Sequence, residues 1–124
     1  MTADIHLTPG PDHLSVKVTG KVQSIHEIVE YMTIFRNEVA RHGQRKVLID
    51  YTEAHFEMDY HDLHELAGIA VQSDFPLYGL RIAVVCLPDE LARHRLFETI
   101  AVNRSMTYQV CTDLETALSW LLAS

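Results

Sequence analysis

The densest run of reactive side chains is His55-Phe56-Glu57-Met58-Asp59-Tyr60-His61-Asp62-Leu63-His64-Glu65, which holds three of the chain's eight histidines among four acids. On a helix, His61 and His64 are three positions apart and His61 and Glu65 four, so the three share a face. Imidazole and carboxylate groups on one face make part of a metal site. The spacing is not the His-Glu-x-x-His of zinc hydrolases, and no independent third ligand is evident. His61, His64 and Glu65 therefore read as a solvated helix face, and no metal or other cofactor is expected. Cys86 and Cys111 each close an apolar run just ahead of a helical pattern. If those runs are neighbouring strands, helix dipoles favour thiolates there; the plainer reading is two small buried hydrophobes. His94, between Arg93 and Arg95, reads as part of a wet helix face. Gly20, Gly43, Gly68 and Gly79 stand singly, so no glycine-rich phosphate loop follows a strand. No Ser-His-Asp set is indicated by the spacing.

Binding chemistry is better represented than bond-making chemistry. Phe56, Met58 and Tyr60 alternate through the segment after residues 46–50, with Tyr51 and His55 upstream and Asp59 placed to open a helix. Apolar surface beside helix N-termini suits a protein partner or a small amphipathic ligand. Tyr51, His55, Phe56, Met58, Asp59 and Tyr60 are accordingly the candidate binding residues. The alternative is that Phe56 and Met58 fold inward and close the core.

The elements that must position these residues are legible in the hydrophobic periodicity. Residues 5–7, a Pro9-Gly10-Pro11-Asp12 turn and the alternating Leu14, Val16 and Val18 give an antiparallel hairpin. Ser24 and Glu27 fit a capping box, and Ile25, Ile28, Val29, Met32, Phe35 and Val39 follow at helical spacing up to Gly43. Lys46-Val47-Leu48-Ile49-Asp50 is a buried strand ending in an acid, with a turn expected over residues 51–60. A helix over residues 60–73 carries Leu63, Leu66, Ala67 and Ala70 inward from an Asp59 cap. Residues 80–86 form an apolar strand covered on both faces. Pro88 opens a helix burying Leu91, Leu96, Phe97 and Ile100. Residues 107–111 form a last strand. A helix capped at Thr112-Asp113-Leu114-Glu115 closes the chain, with Leu114, Ala117, Leu118, Leu121 and Leu122 inward and Trp120 as a packing anchor or homodimer contact. The order ββαβαβαβα predicts a five-stranded, mostly parallel α/β sheet with an antiparallel edge strand and four helices.

Composition narrows the function. The 124 residues fit one domain spanning 1–124, long enough to bury a core without staples. A net charge of −7 with scattered Lys and Arg argues against a nucleic-acid partner. No apolar run approaches the roughly 20 residues that cross a bilayer. The start Met1-Thr2-Ala3-Asp4 lacks the features of a signal peptide, and two distant cysteines do not make a disulfide scaffold, so a cytoplasmic location is expected.

The opening hairpin, Lys46-Val47-Leu48-Ile49-Asp50, Arg81-Ile82-Ala83-Val84-Val85 and the closing Asp113-Leu114-Glu115-Thr116-Ala117-Leu118-Ser119-Trp120-Leu121 together resemble the STAS superfamily. This is the fold of bacterial anti-sigma factor antagonists and sulfate-transporter tails. More specifically, the chain is similar to the small STAS-like, CRAL-TRIO-related bacterial proteins. The resemblance implies a non-catalytic interaction module with a protein partner. The CRAL-TRIO relation implies instead a carrier or sensor of a small apolar or amphipathic ligand, held in a cavity bounded by Phe35, Phe56, Leu66 and Phe97. A metal-dependent enzyme around His61 and His64 is a third reading. Phospho-switching antagonists carry an Asp-Ser-Ser/Thr motif where this chain has Met58-Asp59-Tyr60-His61-Asp62. Asp59 is retained but no serine follows, so serine phosphorylation is not expected.

Overall fold

The structure is a computed structural model that describes residues 2–123. Strands β1 (Ala3–Pro9), β2 (Leu14–Val22), β3 (Lys46–Phe56), β4 (Arg81–Val85) and β5 (Thr107–Cys111) form one sheet in that spatial order. β1 runs antiparallel to β2, and every other pairing is parallel. The connecting helices are α1 (Ile25–Arg41), α2 (Tyr60–Ala70) and α3 (Leu91–Asn103), the last entered through a 3-10 turn at Pro88–Glu90; α4 (Leu114–Leu122) follows β5. The expected α/β architecture is thus present. Parallel strands joined by helices put the ends of β2 to β5 and the starts of all four helices at one rim.

The pleat sorts side chains between two layers. Val47, Ile49, Ile82, Val84, Tyr108 and Val110 face the larger core under α1, α2 and α3, while Leu48, Ala83, Val85 and Cys111 face a smaller one with Ala117 and Leu121 of α4. Leu96, Leu114 and Leu122, expected inside, lie exposed. α3 buries Phe97 as expected but adds His94 and Ala101 and leaves Leu91 and Ile100 half-buried, so its packed stripe is rotated from the expected one.

Asp50 does not end its strand. The register between β2 and β3 shifts where Lys17 opposes Asp50 but Thr19 opposes Glu53, so β3 carries one extra residue in a bulge. The Asp50 carboxylate accepts the Thr52 amide at 2.8 Å and the Thr52 hydroxyl at 2.6 Å, satisfying backbone that the bulge removes from the ladder. One extra residue in a period-2 element flips everything beyond it. Tyr51 faces the core, and so do Ala54 and Phe56, while Glu53 and His55 are exposed. The turn expected over residues 51–60 shrinks to residues 57–59.

Helix ends follow local chemistry. Ser24 caps α1 by accepting from the Glu27 amide, and Gly43 takes the left-handed conformation (φ 65°) just past its end. Glu27 does not reach back to Ser24. Its carboxylate accepts from the amides of Gln23 (2.9 Å) and Ala3 (2.7 Å) and from the Thr2 hydroxyl (3.0 Å), tying the start of β1 to α1. Asp59 and Asp62 form a reciprocal capping box on α2. α2 ends at Ala70, before residue 73, where the Tyr78 hydroxyl donates to its terminal carbonyl at 2.8 Å. Asp113 caps α4, accepting from the Thr116 amide at 2.8 Å, so Thr112 is not the cap. Arg81 lies 3.8 Å over the Trp120 ring and donates to the carbonyls of Trp120 and Leu121, which makes Trp120 an anchor of α4 on β4.

Candidate functional site

Between the sheet and helices α1, α2 and α3, at the rim of helix starts, lies a cavity of about 480 Å³. Its floor is aromatic. Tyr51 reaches it from β3 just before the bulge, Tyr31 from the buried face of α1, His94 and Phe97 from α3, and Tyr108 from β5. Phe56 enters because the bulge turns it inward. Leu63 and Leu66 of α2 close one wall, and Met58, Asp59, Tyr60, Asp62, Asp89, Glu90 and Arg93 surround the mouth.

The floor rings are held by one another. Tyr51 and His94 stack at 5.0 Å and 13°, and Phe56 stands edge-on to both, 5.0 Å from Tyr51 and 5.1 Å from His94. Tyr31 and Tyr51 share a buried hydroxyl–hydroxyl hydrogen bond of 2.6 Å. Phe97 and Tyr108 meet edge-to-face at 5.3 Å. Arg93 donates to the Phe56 carbonyl at 2.7 Å and pairs with Glu90 at 3.5 Å, so the mouth's guanidinium pins the end of β3 to α3.

Burial sets the protonation of the floor. Desolvation raises Tyr31, Tyr51 and Tyr108 above the ordinary phenol range, and all three stay protonated. His94 is 6% exposed, and burial, with a smaller push from Arg93, lowers it to about 4. It is a neutral imidazole at pH 7. Its Nε2 is buried without a hydrogen-bond partner among the described residues. This position is therefore not the wet helix face expected from its arginine neighbours.

The sequence-derived candidates divide at the bulge. Tyr51, Phe56, Met58, Asp59 and Tyr60 line one cavity, whereas His55 is an exposed residue on the opposite side of β3 and takes no part in its lining. Phe56 is buried and Met58 half-buried, while Tyr60 is 76% exposed. Asp59 is occupied as a helix cap, and the amide bond from Asp62 helps hold its carboxyl below the usual range. Phe56, Leu66 and Phe97 bound the cavity as expected, but Phe35 lies in the core and is not part of the lining. His61, His64 and Glu65 are exposed, and no group of three or more His, Cys, Asp or Glu side chains among the described residues is arranged to hold a metal ion.

Cys86 and Cys111 do sit at neighbouring strand ends, the Cys86 amide donating to the Cys111 carbonyl at 3.0 Å. Both are buried, and burial pushes both thiols up, Cys86 to about 11. Desolvation is the largest cause of both shifts, so the site disfavours thiolates and both cysteines are the small buried hydrophobes of the plainer reading.

His94 and Tyr31 escaped the sequence reading. For His94 the signal was its spacing, three before Phe97 and seven before Ala101, which puts it on the packed stripe of α3 despite its charged neighbours.

No protein-family model and no curated protein matches the chain. Among solved structures, it is similar to an uncharacterised protein of the DUF3478 family with a SpoIIAA-like fold from Shewanella loihica PV-4. The TM-score is 0.58 and the identity 22%, over 96% of this chain and 93% of that one. Among the described residues, no helix is long and apolar enough to cross a membrane. The sheet order, the antiparallel edge and this likeness establish a SpoIIAA-like, and hence STAS-like, fold.

Proposed function

We propose that this STAS-like chain is a binding module that holds a small amphipathic molecule in the cavity under α1, α2 and α3. The observation that carries the reading is the cavity itself, about 480 Å³ with an aromatic floor and a few polar groups. That size lies inside the roughly 300–1,000 Å³ range of small-molecule sites. Phe56 and Met58, which on a flat surface would suit a protein partner, instead line a concave site. The chemistry of the floor favours binding over catalysis, because a histidine at about 4 is a weak general base at pH 7 and the phenols stay protonated.

Native mass spectrometry of freshly purified protein tests this, with Met58→Trp, which plugs the half-buried mouth, as control. Added non-covalent mass on the wild type and its loss from the variant are expected. Only the bare polypeptide mass for each, together with no protection of the cavity by any apolar probe, removes the reading. Docking of a protein partner is the second reading, and the exposure of Tyr60 beside the mouth favours it. There Tyr60→Ala, which removes the exposed ring, abolishes capture of that partner.

A further inference from the structure

We infer that the cavity takes an apolar or aromatic body bearing a neutral hydroxyl-type group that hydrogen-bonds His94, and rejects the carboxylate of the same skeleton. This rests on the proposed small-molecule site and adds a chemical class to it.

Two independent observations meet here. The first is the unpaired Nε2 of His94. Buried ring nitrogens are normally hydrogen-bonded, and leaving one without a partner among the described residues is destabilising. The ring is held by Tyr51 on its face and Phe56 on its edge, and its imidazole lines the cavity. A ligand hydroxyl supplies what the protein lacks. It can donate to a bare nitrogen or accept from a protonated one, so either tautomer is served.

The second observation is the charge of the mouth. The lining holds Asp59, Asp62, Asp89 and Glu90 and, among the described residues, one Lys or Arg, Arg93, which is already committed to the Phe56 carbonyl and Glu90. A carboxylate entering here passes four acids and reaches a floor of phenols and a neutral imidazole with no counter-ion. Burying an unpaired charge is strongly unfavourable. A neutral head group avoids that cost.

The experiment titrates the full chain with naphthalene, 2-naphthol and 2-naphthoate at pH 7, read by amide chemical shifts of Leu63, Leu66 and Phe97. One saturated hydrogen bond predicts 2-naphthol binding about tenfold tighter than naphthalene, and the unpaired charge predicts naphthoate about a hundredfold weaker than naphthol. His94→Phe should reduce naphthol to the affinity of naphthalene, and Asp89→Asn should narrow the gap between naphthol and naphthoate. If His94→Phe does not fold, the naphthol-to-naphthalene ratio in the wild type decides the point alone. Naphthoate binding as well as naphthol overturns the inference and leaves the binding-module reading standing. No saturable shift with any of the three overturns both.

Discussion

Replacing His94 with Phe should remove a specific segment of the protein's acid sensitivity. In the unfolded chain this imidazole takes up a proton near pH 6.5, whereas in the folded protein burial delays uptake to about pH 4. Between those values the unfolded state binds more protons, so stability must fall as pH falls. At about 1.4 kcal/mol per tenfold, the gap corresponds to about 3 kcal/mol, with a slope approaching 1.4 kcal/mol per pH unit in mid-window. That is a large share of the roughly 5–15 kcal/mol that stabilises a typical domain. The buried carboxylate at Glu27 and the exposed ones at Glu57, Asp59 and Asp113 are held low and lose their contributions only as pH falls below about 4.5. The window from pH 6.5 to 5 is therefore dominated, among the buried groups, by His94. Urea unfolding of wild type and His94→Phe at half-unit steps from pH 7.5 to 5 gives the difference in slope, in which the exposed histidines cancel. A wild-type curve that descends while the variant's stays nearly flat is expected. Parallel curves would refute the placement of His94 as a buried neutral ring.

Three further outcomes follow from contacts outside that ring. Tyr31→Phe leaves the Tyr51 hydroxyl buried without its 2.6 Å partner and should lower stability by about 1–2 kcal/mol, while adding Tyr51→Phe should cost less than the sum of the single changes in a double-mutant cycle. Glu27→Gln gives up an ionised acceptor for the amides of Ala3 and Gln23. Burial alone would raise its pKa, but these bonds outweigh burial and lower it, so the loss, about 1–3 kcal/mol, is present above its unfolded value near 4.5 and fades in acid; hydrogen exchange should show faster opening of β1. Asp59→Ala removes the cap of α2, leaving the Asp62 amide without its acceptor while the residue 59 amide still donates to the Asp62 carboxylate, and should lower the thermal unfolding midpoint by a few degrees.

Much of this architecture could be read from periodicity because most elements bury one face with a regular repeat. The alternation of Leu14, Val16 and Val18 and the stripe from Ile25 to Val39 needed only the pleat and the helical turn. β3 broke the rule at Asp50. An acid after an apolar run looks like a strand end, yet here it folds back on Thr52 to support a bulge, and the strand continues to Phe56. No local propensity announces that, because the compensation lies in a side-chain bond to the backbone two residues ahead. The same bulge decides that Phe56 faces the cavity and His55 faces away, a division invisible while residues 51–60 are treated as one turn. His94 was concealed differently. Arg93 and Arg95 made its neighbourhood look wet, but Arg93 lies along the cavity mouth and spends its charge on the Phe56 carbonyl and Glu90, leaving the residue between them to face inward.

The position of His94 sets stability against binding, and that opposition separates a functional residue from a packing residue. An apolar side chain stacked on Tyr51 at that site would bury no unpaired nitrogen and would resist no proton. By that reasoning His94→Phe should be at least as stable as the wild type at pH 7.5, and more so at pH 5. The same change should weaken 2-naphthol about tenfold, because the bond that the ligand completes is gone. A purely structural histidine predicts the two effects with the same sign, since disturbing its packing would loosen both the core and the pocket. Measured on one preparation, a gain in the urea midpoint together with a loss of naphthol affinity identifies an imidazole retained against the interest of the fold. A loss of both places His94 in the core, with the cavity owing it nothing.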